Sequence, residues 1–497
     1  MSDHLELVDL AQERLGGQVL AASDDFFAPK ENLLRSADPV WDEHRYTDRG
    51  KWMDGWETRR RRQPGHDWCI LRLGLPGVIR SLVVDTAYFR GNYPEQCSLE
   101  GCALAAAEPW QEARWVEILP PSPLRGDSRN SFSIDFPYRV THLRFNIFPD
   151  GGVARLRVYG EGVPDWMIPG QAPEEMDLAA LENGGLVLSC SDMFFGSRHN
   201  LIMPGHATHM GDGWETRRRR GPGHDWVILQ LATTGIIEQV DFDTSHFKGN
   251  APGSTMLEVC HCPGEFDPQK AEWRELLPPT EVHPHRLHRF HRRLRQVGAA
   301  THLRVNIYPD GGVARLRAYG VPTEEGRMRA ALRWLNTLLP QEARAHLRRC
   351  CGSARWVEKM LAGRPYADVD SLYQAAHSTW WALGEEDWRE AFAAHPPIGA
   401  RQDEGRQDEQ GSRWSRQEQA GALGAPASVL EALAEANRQY LQRFGFLFII
   451  CASGKGAQEM LDNLRERLAN DPSRELRIAA QEQARITRLR LEKLLKG

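Results

Sequence analysis

Short runs of alternating apolar and polar residues fill the first two thirds of the chain. Residues 78–85 (VIRSLVVD) and 141–147 (THLRFNI) are rich in β-branched and aromatic side chains, and Gly, Pro, Asn and Asp bound such runs. That is the pattern of half-buried strands. Many short strands with frequent turns predict a β-sandwich of jelly-roll type rather than a parallel α/β sheet. The Asp-Gly-Gly at Asp150 and at Asp310 offers the positive φ of a tight turn. It precedes a last strand, Val-Ala-Arg-Leu-Arg, whose arginines can face one way and its aliphatics the other. After Gly320 the period changes. From Met328 apolar residues recur at helical spacing (Leu332, Leu335, Leu338, Leu339), and residues 475–495 read as a basic amphipathic helix with Leu476, Ala480, Ile486, Leu489 and Leu491 on its apolar side. Residues 401–413, RQDEGRQDEQGSR, interrupt this rhythm and are expected to form a mobile loop within the helical part.

The β pattern occurs twice. Residues 54–68 read DGWETRRRRQPGHDW and residues 212–226 read DGWETRRRRGPGHDW, 158 positions later and with one difference. The same offset maps Asp85 onto Asp243 and Leu119-Pro120-Pro121 onto Leu277-Pro278-Pro279, and both copies close on a THLR…PDGGVARLR…YG run. Ser23-Asp24 and Phe26-Phe27 match Ser191-Asp192 and Phe194-Phe195 at a wider offset, so the first copy carries about ten extra residues near 38–49. The period is far longer than a solenoid repeat, which makes this the duplication of a whole domain.

A chain of 497 residues with this organisation is expected to hold about three domains. The expected boundaries are 1–165, 175–321 and 327–497. Sixty-two basic against 67 acidic residues leave no net-basic footprint of a nucleic-acid binder. The acidic first residues do not form a secretory signal, and the longest apolar run, residues 444–452, is far too short to span a bilayer. Nine cysteines, an odd number, make no disulfide framework. A cytoplasmic location is expected.

The Arg quartet is the strongest chemical signal. On an extended segment Arg59 and Arg61 share one face and Arg60 and Arg62 the other, with Arg217 and Arg219 set against Arg218 and Arg220 in the second copy. Adjacent guanidinium groups repel unless an anion is near. Arg59, Arg61, Arg217 and Arg219 can hold a substrate carboxylate, or they can pair with the chain's own carboxylates. His66-Asp67 and His224-Asp225 place a titratable acid/base close by. His283, His285, His288 and His291 crowd together near Cys260-His261-Cys262, yet no matched ligand pairs of a structural zinc site are evident. A surface run is the expected reading, and no metal ligand is named.

DGWETRRRR…GHDW, the FRGN and FKGN turns (residues 89–92 and 247–250) and NIFPDGGVARLRVYG resemble the allantoicase family over nearly all of residues 20–320. The resemblance implies two tandem jelly rolls similar to galactose-binding domains, hydrolysing allantoate to ureidoglycolate and urea. It leaves a divalent metal open for that reaction. From Leu335 onward, Trp356-Val357, RPYADVDSLYQA, AHPPIG, SRQEQAG, ANRQYLQRFGFLFIICA and ARITRLRL follow in the order of the OHCU decarboxylases, which are all-α helical enzymes (OHCU is 2-oxo-4-hydroxy-4-carboxy-5-ureidoimidazoline). This implies (S)-allantoin as product, with His395, Glu418 and Arg490 as catalytic residues and no cofactor. Substrate contacts are implied for Pro396, Ser415, Arg416, Gln417 and Gln419, and for the backbone of Phe448, Ile449, Ile450, Cys451 and Ala452. Pro397-Ile398 and Leu447 depart from the family pattern without removing a chemical group. The partners implied are small ureides, with neither nucleic acid nor membrane, and assembly as a homo-oligomer is expected. In the alternative reading the jelly rolls only bind a ligand and the decarboxylase alone is active, since fold does not fix function.

Overall fold

In each β copy one 19-residue strand does the organising, Asp67–Asp85 in the first and Asp225–Asp243 in the second. The computed structural model describes residues 7–105, 108–395 and 426–497. The first half of Asp67–Asp85 lies between Gln18–Ala22 and Arg139–Phe148, and its second half lies between Arg155–Gly162 and Arg129–Ser133. Gln96–Cys102 and Val116–Pro123 extend the first layer, and Val8–Asp9 extends the second. All of these pairings are antiparallel. The partners change around residues 73–77, LGLPG, where a Cβ on Gly77 would come within 2.2 Å of the Glu161 carbonyl oxygen. Asp225–Asp243 changes partners in the same way between Gln230 and Gly235. Each long strand therefore serves both layers of a β-sandwich.

The expected alternation is visible along Arg139–Phe148, where buried Leu143, Phe145 and Ile147 alternate with half-buried Arg144 and with Asn146, whose side-chain amide donates to Ser98 and Glu100. Fully burying a side chain of this size contributes about 2–3 kcal/mol. The arginines of the closing strand turn towards carboxylates rather than water. Arg155 is 2% exposed and donates to Asp54 Oδ2 at 2.7 Å, and Arg157 lies near Asp9. Arg315 with Asp212 and Arg317 with Asp177 repeat the arrangement.

The helix Glu324–Thr337 packs on the second copy, where Thr233 Oγ1 donates to the Gly326 carbonyl at 2.9 Å. It belongs to the β-rich unit, Met1–Thr337. Helical periodicity ran through this point because Leu335, Leu338 and Leu339 are all apolar. The helix nevertheless stops, because Leu339 must be extended ahead of Pro340 and has ψ 146°.

Within the helical unit, Leu338–Gly497, the described helices are Pro340–Cys350, Ala354–Ala362, Val369–Trp381, Glu385–Ala393, Ala427–Phe444, Ala457–Arg467 and Pro472–Lys496. The last has 25 residues, with Asp471 as N-cap accepting from the Arg474 amide and Pro472 at its first turn. Leu476, Ala480, Ile486 and Leu491 are buried, as the amphipathic pattern predicted, and Leu489 is half-buried. The expected loop at 401–413 lies outside the described residues. Among the described residues no helix is long and apolar enough to cross a membrane.

His302 makes the second sandwich acid-sensitive. It is 3% exposed and lies flat on Phe266, with ring centroids 3.8 Å apart. Burial pushes its pKa down from 6.5 to about 4. As pH falls below 6.5 the unfolded chain takes the proton first, so stability present at neutral pH is lost progressively down to about pH 4, on the order of 3 kcal/mol. His199, also lowered to about 4 by burial, acts in the same direction. A His302→Leu chain is expected to show a shallower loss of urea-unfolding midpoint between pH 6.5 and 4 than the parent; parallel curves would contradict this account.

Candidate functional site

The duplicated motif folds into a loop cluster at the Asp67 end of the sandwich. Trp56–Glu57 pairs with Gly152–Val153, and Glu57 also bridges Ala28, which draws three loops together. The Asp-Gly-Gly turn has its expected geometry, with φ 138° at Gly151 and 136° at Gly311. The Gly152 amide donates to the Asn92 carbonyl at 2.7 Å, and the Asn92 side chain donates to Glu57 Oε1 at 2.7 Å. In the second copy Asn250 donates to Glu215 at 2.6 Å. Burial shifts the Glu57 carboxyl upward from its ordinary value, and the Asn92 bond partly offsets it. Glu57 can thus hold a proton that an exposed glutamate would have lost.

The Arg quartet divides as alternation predicts. Arg59 donates through its amide and side chain to Asp24 at 2.6 and 2.9 Å, and Arg217 does the same to Asp192 at 2.6 and 3.3 Å. Arg61 Nη1 meets Asp67 Oδ1 at 2.6 Å, and Asp67, whose side chain is 2% exposed, also accepts from Ser23 Oγ. Arg219 meets Asp225 at 2.5 Å. The four arginines expected to grip a substrate carboxylate are therefore already paired. These pairs tie the loop to the chain's own carboxylates, the second of the two readings the sequence left open. Arg60, Arg62, Arg218 and Arg220 are exposed.

His66 stacks on Phe148 at 4.7 Å and His224 on Tyr308 at 4.6 Å. The copies differ here. His224 Nε2 lies 3.1 Å from Asn306 Oδ1, whereas Asn146 Oδ1 in the first copy is buried without a hydrogen-bond partner. The extra residues of the first copy form the hairpin Tyr46–Thr47 with Gly50–Lys51, and Arg49 reaches the rim to donate to the Phe26 carbonyl at 2.9 Å.

Among the described residues no three His, Cys, Asp or Glu converge as a ligand set. In the histidine run, His285 Nδ1 and His288 Nε2 accept from backbone amides at 2.8 Å, and His291 Nδ1 lies 3.0 Å from the Glu238 carbonyl. These rings hold loops.

In the helical unit His395 follows Glu385–Ala393, and its Nε2 lies 2.7 Å from Gln483 Oε1. Gln483 is fully buried and fixed from its other end, donating to Thr487 Oγ1 at 3.2 Å. Arg490 lies two turns further along the same helix and donates to the Arg349 carbonyl at 3.4 Å. The segment 448–452 is tied to the same helix, since Glu482 Oε2 accepts from the Cys451 amide at 2.8 Å. Phe448, Ile449, Ile450 and Ala452 are buried and Cys451 is half-buried. Burial pushes the neighbouring Cys351 thiol up to about 12, which keeps it neutral beside Thr487 and Arg490. Pro396, Ser415, Arg416, Gln417, Glu418 and Gln419 lie outside the described residues.

Sequence reasoning missed Glu57, Asn92, Glu215, Asn250 and Gln483. The first four stand inside motifs that both copies share, and that identity was the available signal. Gln483 could have been found by helical phase, seven residues before Arg490.

An allantoicase-repeat family model matches residues 8–163 and 176–323, and an OHCU decarboxylase model matches 336–492. The chain is 50% identical over 321 residues to a probable allantoicase of Pseudomonas aeruginosa, covering 63% of this chain and 96% of the relative. The crystal structure of allantoicase from Saccharomyces cerevisiae superposes with a TM-score of 0.54 at 35% identity, over 63% of this chain and 93% of that one. A crystal structure of OHCU decarboxylase with (S)-allantoin aligns at 39% identity over 30% of this chain and 96% of its own, with a TM-score of 0.27.

Proposed function

From the premise that this chain belongs to the allantoicase family and ends in an OHCU decarboxylase domain, we propose that it is a bifunctional enzyme of ureide breakdown. Its β half hydrolyses allantoate to ureidoglycolate and urea, and its helical half converts OHCU to (S)-allantoin. The observation that carries this reading is that the two family models together run from residue 8 to residue 492 with only short gaps.

Allantoate bears a carboxylate and two ureido groups on one carbon. Expelling urea needs a proton at the departing nitrogen and a base to receive one from water. Glu57 and Glu215, each held by an asparagine, and His66 and His224, each held on an aromatic ring, supply that pair at the duplicated loops. The exposed arginines beside them give the cluster a positive field that attracts the substrate anion. In the helical half, loss of CO₂ sends the electron pair into the C=N of the substrate ring, and His395 returns a proton to carbon on one face. Arg490 holds an oxyanion in this reading.

Replacing Glu57 and Glu215 together by Gln is expected to slow urea release by at least about a hundredfold, with OHCU decay unchanged. The single variants then assign the working copy. A double variant with parental urea release would remove these glutamates from the reaction, and a parent chain releasing no urea would leave the decarboxylase as its sole activity.

A further inference from the structure

The β-rich unit holds a cavity of about 560 Å³ that shares no residue with the duplicated loops. Its size is that of a small-molecule site, which runs from about 300 to 1,000 Å³. It opens where Asp225–Asp243 leaves one partner strand before taking the next, at residues 231–234. One wall is Phe266, lying flat on His302 at 3.8 Å. Another is the helix Glu324–Thr337, which presents Arg329, Ala330 and Arg333. Ser189 and Gln230 add polar groups.

The charges do not balance. Among the described residues the lining contains two arginines and no Asp or Glu. Arg329 pairs with Glu325, and Arg333 with Glu161, at 3.5 Å, and Arg329 Nη1 also donates to the Pro263 carbonyl. Glu161 is held more closely by Arg80, at 2.8 Å. Three guanidinium groups thus share two carboxylates, and His302, neutral at pH 7, adds no further charge. A bound anion would complete the set. We propose that this cavity binds a small organic carboxylate with a planar ureido or amide body, its carboxylate received by Arg329 and Arg333 and its planar part lying against Phe266. The arginine-bearing helix follows only the second copy, so the site occurs once per chain.

The test is calorimetric titration of the full chain with N-carbamoylglycine, which joins a carboxylate to one ureido group. Binding at the catalytic loops is scored separately, as inhibition of urea release. One variant carries Arg329→Gln with Arg333→Gln; a second, Ala330→Phe, fills the cavity and decides the matter if the first does not fold. Both are expected to weaken one class of binding at least tenfold while leaving urea release and its inhibition unchanged. Parental binding in either folded variant overturns the proposal, as does a parent chain whose only binding is the one that blocks urea release. Failure of the catalytic reading would show differently, as a parent chain that releases no urea at all.

Discussion

A His395→Ala chain is expected to consume freshly prepared OHCU at least about a hundredfold more slowly than the parent, with urea release from allantoate unaffected. The structure fixes His395 on a buried partner: Nε2 at 2.7 Å from Gln483 Oε1, with Gln483 held in turn by Thr487. The Nε2 proton that Gln483 accepts sets the tautomer of the ring. Gln483→Glu tests this role beyond mere packing. A carboxylate beside the imidazole favours its charged form and raises its pKa by about 1–3 units. The arm of the pH–rate profile that needs neutral imidazole should therefore move to higher pH, while Gln483→Leu lowers the rate at every pH. A Gln483→Glu profile superposed on the parental one would show that Gln483 does not act through His395.

The two sandwiches were legible because period-two burial writes itself directly into sequence, and because duplication supplied each signal twice. Asp67–Asp85 is longer than the 78–85 run that announced it. Its first half, DWCILRL, is buried on alternate positions too, but Gly74, Pro76 and Gly77 read as a break. They mark instead the point where one strand passes between layers. Helical spacing was read from Met328, and the helix there, Glu324–Thr337, packs on the second sandwich; periodicity records only that a face is buried, not against what. Ion pairs are harder still. Arg59 finds Asp24, 35 residues away, only through folding, and Arg61 finds Asp67 within its own loop, so alternation told which arginines share a face without telling what that face meets. Glu57 and Asn92, 35 residues apart, have no periodic relation at all.

The second large effect is expected at Arg467 and Glu475. Arg467 is 7% and Glu475 0% exposed in their side chains, and they pair at 2.6 Å. Tyr440 OH and Asn470 Nδ2 also donate to Glu475, the latter at 2.7 Å. Arg467 Nη1 reaches the Ile449 carbonyl at 2.8 Å, and its guanidinium lies 4.6 Å from the Phe448 ring. The pair therefore both closes the helical unit and holds residues 448–452, the segment implied to contact OHCU. Removing one partner strands a buried charge at a cost of about 3–5 kcal/mol. Arg467→Met and Glu475→Leu, made singly, should each lower the unfolding midpoint of the helical unit and abolish decarboxylation while urea release persists. Made together they remove both charges, and exchange of a buried pair for apolar groups is often neutral, so most of the stability should return. The Ile449 carbonyl would still lack its donor. The double variant should thus fold yet show a raised KM for OHCU, and parental KM and kcat in that folded protein would separate the ion pair from substrate binding altogether.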